Sequence, residues 1–431
     1  MFRMSDSRTL SISPYYGGKG RMAHFIADRL DYGNTDIFVT PFGGMCRVLL
    51  NKPRHSLECY NDYSSALCAL MRVLSEPDSA QEFINRLYSE TEFSRDEFDK
   101  QKAIFDRAEQ DLEEQETIQA CRLLRQELKI ARPRQLLPII LNKKILSELT
   151  ASTDADLLDL DLSDVALMDQ KKLPDSTIKS LERYDKAYND NAGFRQAFEP
   201  CLNNLYELWK VKNRQGYLPR SADIGEPVSD MDLAIATYVV FQQSRDGMGQ
   251  AWSEHKFKDT EQYLKQVLKL YDCAERLEGV EIFQIDALDF FRHWETPYPN
   301  TIRDWLNNPR VMMYCDPSYI SVESERELLK GIDIANTDSL SEAIRQKYAD
   351  KKFPKNLGEV YARSFGYDEQ EQFLRCIQQA KCHLVVSNYD LELYNKYLNE
   401  STGWRREEFL TTTGVGSKAD NSRLEVIWYN Y

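Results

Sequence analysis

The chain has 431 residues, of which 42% are hydrophobic and 11% aromatic, with a formal net charge of -14 at pH 7. That length exceeds what one compact core usually holds, so we expect two or three lobes, and the acidic balance argues against a protein that binds nucleic acid over its whole surface. No apolar run reaches the ~18 residues of a membrane span and the first ten residues lack the apolar centre of a signal peptide, so we expect neither a membrane protein nor an exported one.

Nine cysteines are scattered along the chain without a CxxC pair. An odd, dispersed set predicts reduced thiols in a cytoplasmic protein rather than a disulfide framework or a zinc site. The five histidines are isolated as well, at positions 24, 55, 255, 293 and 383. We therefore expect no metal.

The predicted elements fall into three regions. Residues 11–75 begin a βαβ pattern: a strand at 37–39, a glycine turn and helix to about 51, and a strand at 56–60. Residues 76–255 lose this rhythm, and 79–131 predict long amphipathic helices. From about 260 the α/β pattern returns, with a helix at 261–277, strands at 280–286, 311–316, 383–387 and 423–430, and a helix at 368–380.

Returning strands predict one sheet interrupted by an insertion. We expect an α/β fold with a mostly parallel, Rossmann-like sheet and an antiparallel C-terminal strand. The sheet is assigned to residues 1–75 and 256–431, and a mainly helical insertion to residues 76–255.

The first motif is Tyr15-Tyr16-Gly17-Gly18-Lys19-Gly20. A triphosphate loop would need a glycine at 13 and a Ser or Thr at 20, so that interpretation fails. A lysine beside glycines can instead bind a carboxylate, with the glycines admitting a ligand close to the backbone. A plain surface turn is the alternative.

The second motif is the turn Pro41-Phe42-Gly43-Gly44 after the first strand, with Asp62 near the end of the second. A turn before a helix can hold a cofactor, and an acid at that strand end typically binds ribose hydroxyls. Because GxGxxG is absent, the pattern favours an adenosine cofactor without a pyrophosphate; an ordinary turn is the alternative. Asp286 lies in the segment IDAL. It is predicted either to accept a hydrogen bond from an adenine amine or to cap a helix.

The third motif is Asp316-Pro317-Ser318-Tyr319, which follows an apolar strand. The Asp316 carboxylate and the Pro317 carbonyl can hold both hydrogens of an exocyclic amine, which localises the nitrogen lone pair for attack. Tyr319 can stack on the ring that carries the amine. If the methyl donor is a sulfonium, positioning and electrostatics would account for the acceleration of methyl transfer.

The chain contains a series of short motifs, in the order YYGGK, TPFGG, ND, IDAL, DPSY, VVSN and LEVIWYN. This series resembles the Dam-like DNA adenine-N6 methyltransferases, over residues 11–75 and 280–431. The resemblance implies S-adenosylmethionine as cofactor and S-adenosylhomocysteine as product. It also makes the insertion a target-recognition domain and the segment 241–252 a DNA-reading hairpin. In the family, the target adenine flips out of the duplex to reach the catalytic carboxylate.

The resemblance implies roles for three sets of residues. The catalytic set is Asp316, Pro317, Ser318 and Tyr319. The cofactor set is Tyr15, Tyr16, Gly17, Gly18, Lys19, Pro41, Phe42, Gly43, Gly44, Asp62, Asp286 and Ala287, with Lys19 on the cofactor carboxylate. In the hairpin, Arg245 or Gln250 would read bases and Met248 would wedge into the stack.

Three positions depart from the family pattern. Ser318 stands where the family usually has a second proline, and Thr40 and Cys46 replace an acid and a glycine at the turn 41–44. The stretch from Tyr319 to Tyr361 is also longer than usual, which predicts a lid, a DNA clamp or a surface insertion.

Basic residues in the insertion are the predicted phosphate contacts, because the protein as a whole is acidic. They are Arg122, Arg125, Lys143 and Lys144. The alternative is salt bridging with the acidic run 106–116.

The sequence therefore predicts a site-specific DNA adenine-N6 methyltransferase acting on double-stranded DNA. It would be a cytoplasmic, nucleoid-associated protein of a bacterium or phage, with a possible cognate restriction enzyme. Two alternatives stay open: methylation of another planar amine or amide (RNA adenine, cytosine N4, glutamine), or a catalytically decayed DNA-binding protein of the same fold.

Overall fold

The computed structural model describes residues 9–20, 22–108, 228–292, 305–348, 365–412 and 422–431. Within these ranges the chain forms one seven-stranded sheet with helices on both faces. The strands are β1 Ile37–Thr40, β2 Leu57–Asn61, β3 Glu281–Phe283, β4 Val311–Cys315, β5 His383–Tyr389, β6 Arg405–Thr412 and β7 Ser422–Tyr429.

Twelve labelled helices lie in the described ranges, beside a further helical stretch at 95–108. They are α1 Ala23–Leu30, α2 Arg47–Asn51, α3 Ser65–Ser75, α4 Pro77–Glu90, α5 Asp230–Gln243, α6 Thr260–Val267, α7 Leu270–Leu277, α8 Ala287–Arg292, α9 Val322–Leu329, α10 Leu340–Lys347, α11 Tyr367–Ile377 and α12 Glu392–Tyr397. None of them combines the length and apolar character that crossing a membrane requires.

The strand order is β3-β2-β1-β4-β5-β7-β6. The first five strands run parallel, whereas β7 pairs antiparallel with both β5 and β6. The predicted parallel sheet and its antiparallel C-terminal strand are thus confirmed. In such a sheet the loops after β1, β2 and β4 meet at one edge, so the predicted motifs share that edge.

Both faces of the sheet are buried, which explains why its central strands are continuous apolar runs. Successive side chains of β4 alternate between the two cores: Met312 and Tyr314 join one, and Met313 and Cys315 join the other. Helices α1 to α7 supply the first core, and α8 to α12 supply the second. The described part of the stretch after Tyr319, residues 320–348, contributes buried Leu328 and Ile344 to the second core.

The chain divides into two compact units, one formed by Met1–Asp106 with Val228–Tyr431 and the other by Arg107–Pro227. The first unit therefore includes α4 and α5, which the sequence placed in the insertion. Helix α5 packs on α3, where the Thr237 hydroxyl donates to the Ala66 carbonyl at 3.2 Å and Arg72 pairs with Asp230 at 2.7 Å. Since residues 109–227 lie outside the described ranges, the helical recognition domain stays a prediction.

Two other elements differ from the predictions. The helix predicted at 261–277 is two helices, α6 and α7, because the chain turns at Leu268 and Lys269. Strand β6 was not predicted, since its sequence RREEFLTT has no apolar run. It is an edge strand that pairs on one side only, with β7.

A buried carboxylate fixes the start of α10. Glu371 accepts backbone amides from Leu340 at 3.0 Å and Ser341 at 2.9 Å, and hydroxyl groups from Ser339, Ser341 and Tyr397. Burial alone would raise the pKa of Glu371, but these donors outweigh it and lower the pKa to about 2.

We expect Glu371 to make the protein acid-sensitive. Because its pKa is lower in the folded state, its stabilisation is complete above the unfolded pKa of about 4.3 and is lost as pH falls toward 2. The complete loss, reached below pH 2, is on the order of 3 kcal/mol, and about half of this loss is present at pH 3. Urea unfolding at pH 7, 4 and 3 measures it. Glu371→Gln should lack this part of the pH dependence, whereas Glu342→Gln, at an exposed position on α10, should retain it.

Candidate active site

The catalytic motif follows β4 at the carboxyl edge of the sheet. Asp316 Oδ1 accepts a hydrogen bond from Ser387 Oγ at 2.9 Å and forms an ion pair with Lys19 Nζ at 2.9 Å. The Tyr314 hydroxyl lies 2.9 Å from Ser387 Oγ and completes the chain of hydrogen bonds. Both contacts are made by the same oxygen, so they fix the position of Asp316 Oδ1.

Lys19 links the first glycine motif to the catalytic motif. Its ammonium donates to the Gly17 carbonyl at 3.1 Å and lies 4.3 Å from the centre of the Tyr319 ring. The lysine was predicted to bind the cofactor carboxylate, but in this structure its charge is paired with Asp316. The two motifs therefore form one site, although more than 290 residues separate them.

The Tyr319 ring is held on several sides. Besides Lys19 over its face, Tyr389 meets it edge-on with a centroid distance of 4.5 Å. Its hydroxyl donates to Glu425 Oε2 at 3.2 Å. Burial, with the nearby charges of Asp316 and Glu425, raises the pKa of Tyr319 well above its ordinary value. The ring is consequently a neutral, fixed surface.

The second glycine turn lies beside the first. Gly44 has a left-handed backbone with φ of 51°, and a Cβ there would meet the Tyr15 ring at 3.4 Å. The next left-handed residue is Cys46, with φ of 45°, at the position where the resemblance expects a glycine. The turn thus keeps its conformation despite the substitution, at some cost in backbone strain.

Asp62 holds this turn in place. Its two carboxylate oxygens accept the backbone amides of Gly44 at 2.8 Å and Ser64 at 2.9 Å. Burial raises the pKa of Asp62, and these two amides oppose the rise. Each oxygen keeps a further lone pair, so the carboxylate can still accept a ligand hydroxyl.

Asn61 was not predicted as a site residue, yet it ties three loops together. Its amide nitrogen donates to the carbonyls of Pro41 and Ile285, at 2.9 and 3.0 Å, and its oxygen accepts the Ile285 amide at 3.0 Å. The segment IDAL is thereby fixed against the second glycine turn. Within it, Asp286 Oδ1 accepts the Leu288 amide at 2.9 Å, which is the capping contact; its contact with a cofactor stays a prediction.

The segment predicted as a DNA-reading hairpin is only partly hairpin-like. Phe241–Gln243 end helix α5, Arg245–Gly247 form a 3-10 turn, and an isolated antiparallel bridge joins Ser244 to Trp252. Its turn contacts the first glycine motif, since the Tyr16 amide donates to the Gly247 carbonyl at 3.1 Å. Arg245 and Gln250 are exposed and Met248 is half-buried, so base reading by these residues stays a prediction.

Residues 15–156 match the family model of the D12 class N6 adenine-specific DNA methyltransferases. The predicted resemblance to Dam-like adenine methyltransferases is therefore confirmed over this part of the chain. The matched segment carries both glycine turns, Lys19 and Asp62, whereas Asp316 and Tyr319 lie beyond it. No curated protein is significantly similar to the chain.

Ser318 departs from the Asp-Pro-Pro-Tyr pattern that the resemblance leads us to expect, and the structure gives its hydroxyl specific contacts. Its hydroxyl accepts the Phe365 amide at 3.0 Å and donates to the Phe365 carbonyl at 3.3 Å. Phe365 in turn packs edge-on against Phe42 of the second glycine turn, at 5.1 Å. A hydroxyl thus makes contacts here that a proline ring could not.

Ser318→Ala should leave the fold intact but lower the free energy of unfolding by about 1–2 kcal/mol, because the Phe365 amide loses its partner. Urea unfolding measures the change. The exposed Ser401→Ala serves as the control and should stay within about 0.5 kcal/mol of the wild type. Equal stability of Ser318→Ala and the wild type would contradict the role of this hydroxyl.

The site does not resemble a metal centre. Within the described ranges, no group of three or more His, Cys, Asp or Glu side chains is placed to hold a metal ion.

Proposed function

We propose that the protein is a site-specific DNA methyltransferase that transfers a methyl group from S-adenosylmethionine to N6 of a flipped-out adenine in double-stranded DNA. The main support is the 2.9 Å ion pair between Lys19 and Asp316, which joins the family-matched glycine motif to the DPSY motif. A cofactor at the glycine turns and a base against Tyr319 would thus be neighbours.

The residues after β4 would bind and orient the target amine. The Asp316 carboxylate accepts one amine hydrogen and the Pro317 carbonyl accepts the other, so the nitrogen lone pair is directed away from the ring. Tyr319 stacks on the adenine, and its fixed orientation reduces the entropy lost on binding. Asp316 is fixed by Ser387 and Lys19, so little reorganisation is needed when the amine arrives.

The chain's residues fit S-adenosylmethionine at the edge formed by β1 and β2. Asp62 has acceptor capacity for ribose hydroxyls, and the absence of side chains at Gly43 and Gly44 lets the turn pack closely on the rings of Tyr60 and Tyr15. Gly17 and Gly18 are exposed at the same edge, beside Lys19. When bound, this cofactor supplies a methyl group activated by its sulfonium sulfur.

DNA contact would come from residues at two places. Arg245, Met248 and Gln250 lie on the turn that touches the first glycine motif. The other proposed contacts, Arg122, Arg125, Lys143 and Lys144, lie outside the described residues. Membership of a restriction-modification pair and a nucleoid-associated, cytoplasmic location remain predictions.

The proposal is tested by incubating the full chain with unmodified duplex DNA and tritium-labelled S-adenosylmethionine, then digesting the DNA and identifying the labelled nucleoside. N6-methyladenine is the expected product. Label in cytosine would identify another planar acceptor, and parallel incubations with RNA and with protein test the remaining alternatives. Absence of any transfer, together with absence of cofactor binding by calorimetry, would indicate a decayed enzyme.

A further inference from the structure

The C-terminal hairpin contributes an acidic residue to the site. Glu425 lies on β7, in register with Tyr389 of the antiparallel neighbour β5. Tyr389 is the residue whose ring meets Tyr319 edge-on at 4.5 Å. The strand pairing therefore brings the Glu425 carboxylate to the catalytic motif, which the sequence order of the motifs does not indicate.

One Glu425 oxygen serves two neighbours. Oε2 accepts the Tyr319 hydroxyl at 3.2 Å and lies 3.9 Å from Lys19 Nζ. The side chains of Lys19, Glu425 and Asp316 are 5%, 15% and 20% exposed. One nearly buried cation thus lies between two carboxylates, closer to Asp316 at 2.9 Å than to Glu425.

The position of this cation matters for the proposed reaction. A carboxylate in tight contact with an ammonium is a weaker acceptor for an aromatic amine, because the ammonium neutralises its charge. Movement of Lys19 Nζ by about an ångström toward Glu425 would restore the acceptor strength of Asp316. The ammonium would stay paired throughout, which avoids leaving a buried charge without a partner.

We propose that Glu425 is a positioning residue that fixes the Tyr319 ring through its hydroxyl and draws Lys19 away from Asp316 when the target amine binds. The inference rests on the proposed methyltransferase function and assigns to the C-terminal strand a role in the chemical step. Glu425 acts through Tyr319 and Lys19 and does not itself touch the reacting atoms.

The test compares Glu425→Gln, Tyr319→Phe and the double variant in steady-state methylation of duplex DNA. Glu425→Gln keeps the side-chain shape and removes the charge, so kcat should fall about 10- to 100-fold while KM for DNA changes less than about threefold. The double variant should be less impaired than the product of the single effects, because both substitutions remove one shared contact.

Glu407→Gln is the matched control. Glu407 lies on the same hairpin, accepts the Tyr429 hydroxyl at 2.8 Å and pairs with Arg29 at 2.6 Å, yet makes no contact with Asp316 or Tyr319 among the described residues. It should keep wild-type kcat. Thermal unfolding and calorimetric titration with S-adenosylmethionine should give similar values for wild type and Glu425→Gln.

The outcomes separate the two proposals. If the wild type methylates adenine and Glu425→Gln has the same kcat, the role of Glu425 is overturned while the proposed function stands. Effects of Glu425→Gln and Tyr319→Phe that multiply independently would overturn that role as well. A wild type that binds the cofactor but transfers no methyl group to any acceptor would overturn the proposed function, and this inference with it.

Discussion

Asp316→Ala is expected to abolish methyl transfer, with a fall in the single-turnover rate of at least about 10³-fold, while DNA binding persists. In the proposed function this carboxylate is the acceptor that orients the target amine, and no other carboxylate in the described ranges takes its place between Lys19 and Ser387. The fold should survive, because Lys19 keeps Glu425 as a partner at 3.9 Å.

Rapid-quench measurement with labelled cofactor gives the rate, and filter binding gives the affinity for DNA. Asp36→Asn is the control: Asp36 is also ion-paired, with Arg310, but it precedes β1 and so lies at the opposite edge of the sheet. If Asp316→Ala retained turnover near that of Asp36→Asn, the role assigned to Asp316 would be wrong.

Gly43→Ala should destroy cofactor binding, with a rise in Kd of at least about 100-fold, and should destabilise the fold by about 2–3 kcal/mol. A Cβ at Gly43 would lie 2.0 Å from Cε2 of Tyr60. That ring is fully buried and anchored by its hydroxyl on the Gly44 carbonyl at 2.8 Å, so it cannot move aside. The turn itself must shift.

Calorimetric titration with S-adenosylmethionine measures the loss of binding. Gly33→Ala provides the comparison, because Gly33 also lies in a turn but a Cβ there would have no atom within 4 Å. Its left-handed φ of 68° should cost about 1 kcal/mol of stability and leave cofactor affinity unchanged. Cofactor affinity of Gly43→Ala within threefold of the wild type would argue against a cofactor at this turn.

The sheet could be predicted largely from the sequence, because its central strands are buried on both faces. Apolar runs such as Val311–Cys315 and His383–Tyr389 leave little choice of structure. Strand β6 could not be found in this way: RREEFLTT is charged, and only its pairing with β7 makes it a strand.

The position of DPSY directly after a strand was likewise predictable from the sequence, whereas its catalytic role stays a prediction. The residues that hold this motif in place could not be predicted. Ser387 and Glu425 contact Asp316 and Tyr319 from strands 71 and 106 residues away; they lie in the segments VVSN and LEVIWYN, but the sequence does not indicate which residues they contact. The partner of Lys19 could not be predicted either. A lysine beside glycines predicts contact with an anion, but only the tertiary structure shows that the anion beside Lys19 is Asp316.

The order of strands has a consequence for how the protein is made. The central strand β1 needs β4 as a neighbour, and Ile37 pairs with Val311, roughly 270 residues later. At about 5–20 residues per second, a ribosome takes roughly 15–55 s to bridge that interval. Until then the backbone groups of Phe38 and Val39 that face β4 have no strand partner, so chaperone capacity during translation should limit the yield of folded protein.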